Sequence, residues 1–379
     1  MTVRCGTLWG WGVGHTGLMG AGPGEDVLTP RPIPGLPAVH STACGASSAF
    51  AIDADGRIWS WGWDAFHHML GRGAREGPVP WLATPLRRMG HQPAPGRLPG
   101  DGGVGLPAIV PGVEDAIQVA CGDEDVYALD GAGRVYAWGA ATALGGGRKA
   151  ADRPRRIDGL SAIQALACDA SSQHALALDD DGRVWSWGAG HDGELGQGTR
   201  SKVARPEQVD LPMRAVAIAA SFASSWAVLE DGGLWFWGNG QIIELVERRS
   251  YLISTPRQLP GGRFVRLAAA GHACAAWTGD GRCHLFGLGW RELLGQEPAG
   301  TEGERAPRLD GTQGLAVGDR HGLGWAGDGQ LTAFGVPAGG ALGDGTDHED
   351  TVEPLILPLP GPVLTAAAGC GASFAVVGA

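Results

Sequence analysis

The stretch Asp181-Gly182-Arg183-Val184-Trp185-Ser186-Trp187-Gly188 has a near copy in Asp55-Gly56-Arg57-Ile58-Trp59-Ser60-Trp61-Gly62. Four less regular copies begin at Asp130, Asp231, Asp280 and Asp328. From Trp61, the aromatic-Gly pair that ends each copy recurs after 77, 49, 50, 49 and 48 residues. Self-similarity at a fixed spacing is the signature of a repeat architecture. The sequence therefore predicts a repeating unit of about 50 residues, with one long insertion.

Each Asp-Gly pair lies between two short runs of alternating character, such as Ala49-Phe50-Ala51-Ile52 before and Ile58-Trp59-Ser60-Trp61 after. This arrangement predicts a β-hairpin with a two-residue type I′ turn, which has positive φ at both central positions. Aromatic residues two positions apart, such as Trp59 and Trp61, lie on the same face of a strand. We therefore expect these rings to pack against a neighbouring sheet.

A run of small residues precedes each hairpin, as in Thr42-Ala43-Cys44-Gly45 and Val119-Ala120-Cys121-Gly122. Small side chains suit strands at a place where several sheets converge. No long helical pattern interrupts the repeat. The sequence therefore predicts an all-β fold in which four-stranded antiparallel blades surround a central channel.

The two ends of the sequence predict how this ring closes. Residues 366–379 match the strand that precedes an Asp-Gly turn, but the turn itself does not follow. The segment Gly6-Thr7-Leu8-Trp9-Gly10-Trp11-Gly12 supplies a matching Trp-x-Trp-Gly strand, and Trp11 precedes Trp61 by 50 residues. We therefore expect residues 1–379 to form one seven-bladed β-propeller whose terminal strands share a blade and leave no open sheet edge.

The repeat resembles the regulator of chromosome condensation repeat. The resemblance rests on the hairpin copies and on glycine-spaced tails such as Trp11-Gly12-Val13-Gly14-His15-Thr16-Gly17-Leu18-Met19-Gly20-Ala21-Gly22 and Trp187-Gly188-Ala189-Gly190-His191-Asp192-Gly193-Glu194-Leu195-Gly196-Gln197-Gly198. It spans essentially the whole chain and implies a seven-bladed propeller. It does not select one function, because the family includes a nucleotide exchange factor for a nuclear GTPase, an ultraviolet-B photoreceptor, a β-lactamase inhibitor and adaptor proteins.

Composition excludes several classes of function. The formal net charge is −11, so the surface as a whole lacks the basic character on which nucleic-acid affinity depends. The start of the chain lacks a signal-peptide pattern, and no stretch approaches 18 uninterrupted apolar residues, so we expect a cytoplasmic protein that does not enter a membrane. The seven cysteines are dispersed and form no Cys-x-x-Cys pair, which predicts small buried residues in a reducing compartment.

Tryptophans and histidines raise the possibilities of a photoreceptor and an enzyme. The single Gly289-Trp290-Arg291 falls in a tail after a repeat, where we expect a loop, so it does not match the photoreceptor's motif before the alternating strand. His174 and His321 share one strand register and are interpreted as structural, hydrogen-bonded to neighbouring backbone. Adjacent His67 and His68 are expected to diverge rather than bind a metal with His91. No catalytic motif is found, and we expect no cofactor and no metal.

The long insertion, residues 71–110, is rich in Pro and Gly and locally basic. Such an excursion is either solvated chain or a recognition loop. On the second interpretation it supplies aromatic and arginine anchors to a partner. The predicted partner-binding residues are His67, His68, Trp81, Arg87, Arg88, His91, Trp290 and Arg291.

These observations favour a protein-interaction module, that is, a scaffold, inhibitor or regulator that binds a protein or peptide through one propeller face and the insertion. The alternatives are a guanine nucleotide exchange factor for a small GTPase, and an enzyme whose site lies in the central channel. Rigid, loop-covered faces favour recognition over turnover, so we expect a protein that is not an enzyme.

Overall fold

The computed structural model describes residues 3–64, 68–73, 105–140, 150–245, 250–294, 300–348 and 352–379. Within these ranges, 28 strands form seven four-stranded antiparallel sheets, and the all-β prediction of a seven-bladed propeller is confirmed. The described part of the chain contains one α-helix, α1 (Gly289–Leu294), and short 3-10 turns. No helix in these ranges is long and apolar enough to cross a membrane.

We number the blades from 1 to 7 along the chain. Blade 1 contains β3 (Val39–Cys44), β4 (Ser48–Asp53), β5 (Ile58–Gly62) and β6 (Ala108–Ile109). Blade 2 contains β7 (Ala116–Cys121), β8 (Asp125–Asp130), β9 (Val135–Gly139) and β10 (Ala151–Arg156). Blade 3 contains β11 (Ile163–Ala167), β12 (His174–Asp179), β13 (Val184–Gly188) and β14 (Val203–Gln208). Blade 4 contains β15 (Ala215–Ser221), β16 (Ser224–Leu229), β17 (Leu234–Asn239) and β18 (Leu252–Gln258).

The remaining blades complete the ring. Blade 5 contains β19 (Phe264–Ala270), β20 (Ala273–Thr278), β21 (Cys283–Phe286) and β22 (Glu304–Arg305). Blade 6 contains β23 (Thr312–Val317), β24 (His321–Ala326), β25 (Leu331–Gly335) and β26 (Val352–Leu357). Blade 7 contains β27 (Val363–Ala368), β28 (Ala372–Val377), β1 (Thr7–Gly12) and β2 (Val27–Pro32). The innermost strands of neighbouring blades contact one another around the whole circle, so they line the central channel.

Blade 7 is built from both ends of the chain, as predicted. β1 pairs with β28 in an unbroken register that runs from Thr7 opposite Val377 to Gly12 opposite Ala372. The amino-terminal strand therefore lies inside the sheet of blade 7, between a carboxy-terminal strand and β2. This pairing closes the ring without an open inner edge.

The prediction of two-residue type I′ turns in the hairpins is wrong. Between β4 and β5, the Asp53 N–H donates to the Arg57 carbonyl at 3.1 Å, which leaves three residues in the loop. Among these, Gly56 has positive φ, at 73°, while Asp55 does not. The loop is wider than predicted because it closes between Asp53 and Arg57, outside the Asp-Gly pair, and needs one left-handed residue. The Asp53 carboxylate stabilises it by accepting from the N–H groups of Asp55 and Arg57, at 3.0 and 2.9 Å.

In blade 2 the turn is also displaced from the predicted Asp130-Gly131 pair. Asp130 is the last residue of β8, and its carboxylate accepts from the N–H groups of Ala132 and Arg134 as Asp53 does in blade 1. The left-handed glycine is Gly133, with φ of 74°. Asp130 therefore corresponds to Asp53 of blade 1 and not to Asp55.

Large rings fix each blade on the one before it. Phe50 in blade 1 contacts Trp138 in blade 2 edge-on, with ring centroids 6.0 Å apart, and Tyr127 contacts Trp187 in the same way at 5.5 Å. The Trp138 Nε1–H donates to the Met69 carbonyl at 2.7 Å. These contacts confirm that Trp138 and Trp187 are buried packing groups between blades.

The glycine-spaced tails also contribute to the packing between blades. A Cβ atom on Gly71 would lie 2.7 Å from Trp138 Nε1, and one on Gly196 would lie 2.8 Å from Trp237 Nε1. Because a real Cβ does not fit at such distances, these two tails need glycine where the next blade's indole lies against them.

Candidate interaction surfaces

The propeller has two ends, which we name by their connections. The loop face carries the short loops between first and second strands and the tails that follow each third strand. The hairpin face carries the hairpins between second and third strands and the connections from one blade to the next. These two surfaces, with the channel between them, are the places where a partner can bind the ring.

The insertion begins and ends on the loop face. The Gly73 N–H donates to the Asp152 carbonyl in blade 2 at 2.8 Å, and the Gly105 N–H donates to the Gly62 carbonyl in blade 1 at 3.0 Å. Just outside these two anchors, the Arg72 guanidinium donates to the Leu106 carbonyl at 3.0 Å. Part of the predicted 71–110 segment therefore belongs to the propeller, including strand β6.

Of the predicted partner-binding residues, His67, Trp81, Arg87, Arg88 and His91 lie outside the described residues. His68 is described and has positive φ, at 59°. Its carbonyl accepts the Gly71 N–H at 3.0 Å, which closes a turn. In other tails this position holds Gly17, with φ of 75°, or Gly193, with φ of 92°. His68 therefore adopts a conformation that glycine provides elsewhere, and such strain in a non-glycine residue often accompanies function.

Trp290 is not in a loop, and that expectation is wrong. It lies in α1 with 1% of its surface exposed. Its Nε1–H reaches two carbonyls, those of Cys274 at 3.0 Å and Phe286 at 3.1 Å, and its ring lies against Phe334 of blade 6. Burial between blades 5 and 6 leaves the indole unavailable to a partner at the surface. Arg291 is the next residue of this helix, which lies in blade 5, far from the tail of blade 1 that holds His68.

His174 and His321 are structural, as predicted; each contacts a serine of the next blade, and His321 also has a backbone hydrogen bond with Ala372. His174 Nε2 lies 2.9 Å from Ser225 Oγ, and this hydroxyl donates to the Glu194 carbonyl at 2.7 Å. His321 makes the same contact with Ser373. Full burial lowers the pKa of each imidazole to about 4, so both are neutral at physiological pH.

Sequence reasoning missed the carboxylate at the loop-face end of the channel. Asp169 lies in the loop between β11 and β12, is 7% exposed and accepts the Gly271 N–H of blade 5 at 3.0 Å. Burial raises the pKa of Asp169, and the nearby charge of Asp319 raises it further. The length of this loop could have indicated a special role for it. It spans residues 168–173, whereas the equivalent loop of blade 1 spans only residues 45–47.

Within the described ranges, no group of three His, Cys, Asp or Glu side chains is arranged to hold a metal ion. One surface depression lies on the hairpin face, between the hairpin of blade 3 and the connection to blade 4. Its lining combines Arg183, Gln208, Met213 and Arg214. All seven cysteines are free thiols.

The fold defines a class of repeat propellers. In this class, each blade contains this hairpin and this tail, and the two ends of the chain share one blade. A family model described as the RCC1-like domain matches residues 7–377, and the chain belongs to this family.

Similar proteins differ greatly in length. The human E3 ubiquitin-protein ligase HERC2 is 27% identical over 390 residues, which cover 97% of this chain but 7% of HERC2. The human regulator of chromosome condensation is 39% identical over 88 residues, covering 23% of this chain and 20% of that protein. This chain thus spans a small part of these relatives.

Solved structures share the fold. Yeast RCC1 (Prp20), in a complex with Kap60, superposes with a TM-score of 0.80 at 23% identity, over 100% of this chain and 90% of that one. Human WBSCR16 gives 0.79 at 22% identity, over 99% of this chain and 100% of that one. At this identity the likeness concerns the fold.

Proposed function

We propose that this protein is a protein-interaction module, a scaffold, inhibitor or regulator, that binds a partner protein or peptide through its loop face and the insertion at residues 71–110. The observation that carries the proposal is the anchored root of that insertion. Gly73 and Gly105 are hydrogen-bonded to two blades, so the segment between them leaves from a fixed point on a closed ring. A rigid scaffold that displays a loop is a common arrangement for recognition.

The composition of the insertion supports a binding role. It contains Trp81, Arg87, Arg88 and Arg97, and tryptophan and arginine are the residue types that most often dominate binding energy at interfaces. Its basic character on a chain of net charge −11 favours an acidic partner surface. A protein partner is also consistent with the fold neighbour yeast RCC1, which forms a complex with Kap60.

Affinity capture with a matched deletion tests this proposal. The bait is the full chain, and the control bait replaces residues 76–103 with a short Gly/Ser linker, because residues 105–109 belong to the propeller. Loop-closure entropy changes slowly with length, so the ring should stay folded in the control. We expect a protein that the full chain retains and the deletion loses. Recovery of a small GTPase would point to nucleotide exchange as the role of this contact.

Point variants then locate the contact. Trp81→Ala, and Arg87→Glu combined with Arg88→Glu, should each weaken association by about 2 kcal/mol or more if these residues are central anchors. Arg31→Glu, on the exposed outer strand of blade 7, is the matched control and should leave affinity unchanged. Equal affinity for all variants would contradict a contact made by the insertion.

A further inference from the structure

A ring of side chains surrounds the channel mouth on the hairpin face. In every blade the innermost strand has a register shift, a β-bulge, at its second residue. A bulge leaves the extra residue out of the strand ladder and redirects its side chain. We call the seven bulged residues the bulge ring: His40, Ile117, Gln164, Val216, Val265, Gln313 and Leu364.

The bulge ring presents apolar surface to solvent. Ile117, Val216 and Val265 are 48%, 51% and 53% exposed, and Leu364 is half-buried. Met213, on the connection that leads into the same blade as Val216, is also exposed. Single exposed apolar residues are ordinary, but here the repeat brings several of them to one circular mouth. Four of the seven bulge-ring residues are therefore apolar side chains that are at least partly exposed at the channel mouth.

Acidic residues surround this mouth. The six hairpins and the inter-blade connections of this face contain twelve Asp and Glu residues against seven arginines. Several of the arginines are paired within their own hairpin, as Arg183 is with Asp181 at 2.7 Å. In blades 4 and 6, Gly233 and Gln330 stand at the position of that arginine, so the hairpins of Asp231 and Asp328 lack this internal ion pair.

We propose that the hairpin face is a second docking surface, which binds an extended lysine- and arginine-rich segment of a partner protein with one large apolar side chain seated in the bulge ring. An apolar centre within a polar rim is the usual anatomy of a protein interface. The negative rim attracts a cationic segment and repels nucleic acid. This surface lies opposite the insertion, so the ring can hold two partners at once.

Fluorescence anisotropy with labelled synthetic peptides tests this surface. The probe is a short Lys/Arg peptide with a central leucine; the comparison peptides carry a central serine, or replace the basic residues with glutamate. We expect the leucine-centred basic peptide to bind the full chain and the 76–103 deletion equally, and to bind more weakly as salt is raised. The serine-centred peptide should bind at least about fivefold more weakly, and the acidic peptide should not bind.

Variants on the two sides of the molecule complete the test. Val216→Ser should weaken binding by about threefold or more, because it removes apolar surface without adding charge. Asp231→Lys combined with Asp328→Lys should weaken binding by about tenfold or more. The matched controls are Ile356→Ser, at an exposed outer-strand position, and Glu25→Lys combined with Asp347→Lys, which change charge equally in loop-face tails. The proposal is overturned if no basic peptide binds, or if the control variants weaken binding as much as the hairpin-face variants.

Discussion

The Nε2 atom of His321 lies 2.8 Å from the Oγ atom of Ser373, and this hydrogen bond joins blade 6 to blade 7. The Ser373 hydroxyl donates to the Ala341 carbonyl at 2.8 Å, so it must accept from the imidazole. Nε2 therefore carries a proton, and because burial lowers the pKa of His321 to about 4, the imidazole is neutral at physiological pH. His174 and Ser225 form the equivalent link between blades 3 and 4.

This relationship predicts a pH dependence of stability. The unfolded histidines bind protons below their ordinary pKa of 6.5, whereas burial holds the folded values at about 4. The stabilisation is therefore complete above about pH 6.5 and is lost as pH falls toward 4, by on the order of 3 kcal/mol for each histidine. Urea unfolding between these pH values measures the loss. Replacing both residues by asparagine should flatten the slope, and an unchanged slope would contradict the assignment.

Removal of residues 1–12 should destabilise the whole ring. The deletion takes β1 out of the middle of blade 7 and leaves edges of β28 and β2 without partners. Unpaired strand edges promote association with other chains. We expect aggregation or a large fall in melting temperature, and a deletion of residues 1–4 alone is the control. A monomer as stable as the parent would refute the shared blade.

Trp290→Ala should cost about 3–5 kcal/mol, as much as Trp61→Ala, Trp187→Ala or Trp237→Ala, because all four indoles are fully buried. Trp290→Phe retains most of the volume but loses the hydrogen bonds to Cys274 and Phe286, so it should cost less. Chemical denaturation gives both values. If Trp290→Ala lowers the free energy of unfolding by well under 1 kcal/mol, the burial of Trp290 is contradicted and the loop position that the sequence predicted is supported.

His68→Gly should stabilise the ring by up to about 1 kcal/mol, because glycine adopts the positive φ of this position without strain. His68→Ala should not gain this stability, since alanine keeps the Cβ that causes the strain. Melting curves of the two variants separate these results. Equal effects of glycine and alanine would mean that backbone conformation does not limit this turn.

The architecture could be predicted because every blade repeats the same strands and packs against its neighbours in the same way. The spacing of Trp138, Trp187 and Trp237 gave the period directly, and the match between Thr7–Gly12 and the other Trp-Gly strands predicted the closure. The turn geometry could not be predicted from the Asp-Gly letters. The loop closes through the hydrogen bond from the Asp53 N–H to the Arg57 carbonyl, and both residues lie outside that pair.

The surfaces were harder to predict for a similar reason. Trp290 has the sequence context of a loop, but tertiary packing between two blades buries it. Val216 and Ile117 look like ordinary strand residues, and their exposure results from bulges that the apolar pattern does not show. Asp169 acts across the channel on Gly271, and no local pattern connects these residues.

Titration calorimetry of the captured partner against the full chain and the 76–103 deletion tests the central claim most directly. If the anchored insertion carries the interface, the deletion should melt at the same temperature as the full chain while its binding falls below detection. The Arg87→Glu and Arg88→Glu pair should reduce affinity chiefly through a slower association rate, and this effect should diminish at high salt. An unchanged affinity of the folded deletion would contradict the account and move the interface to another part of the propeller.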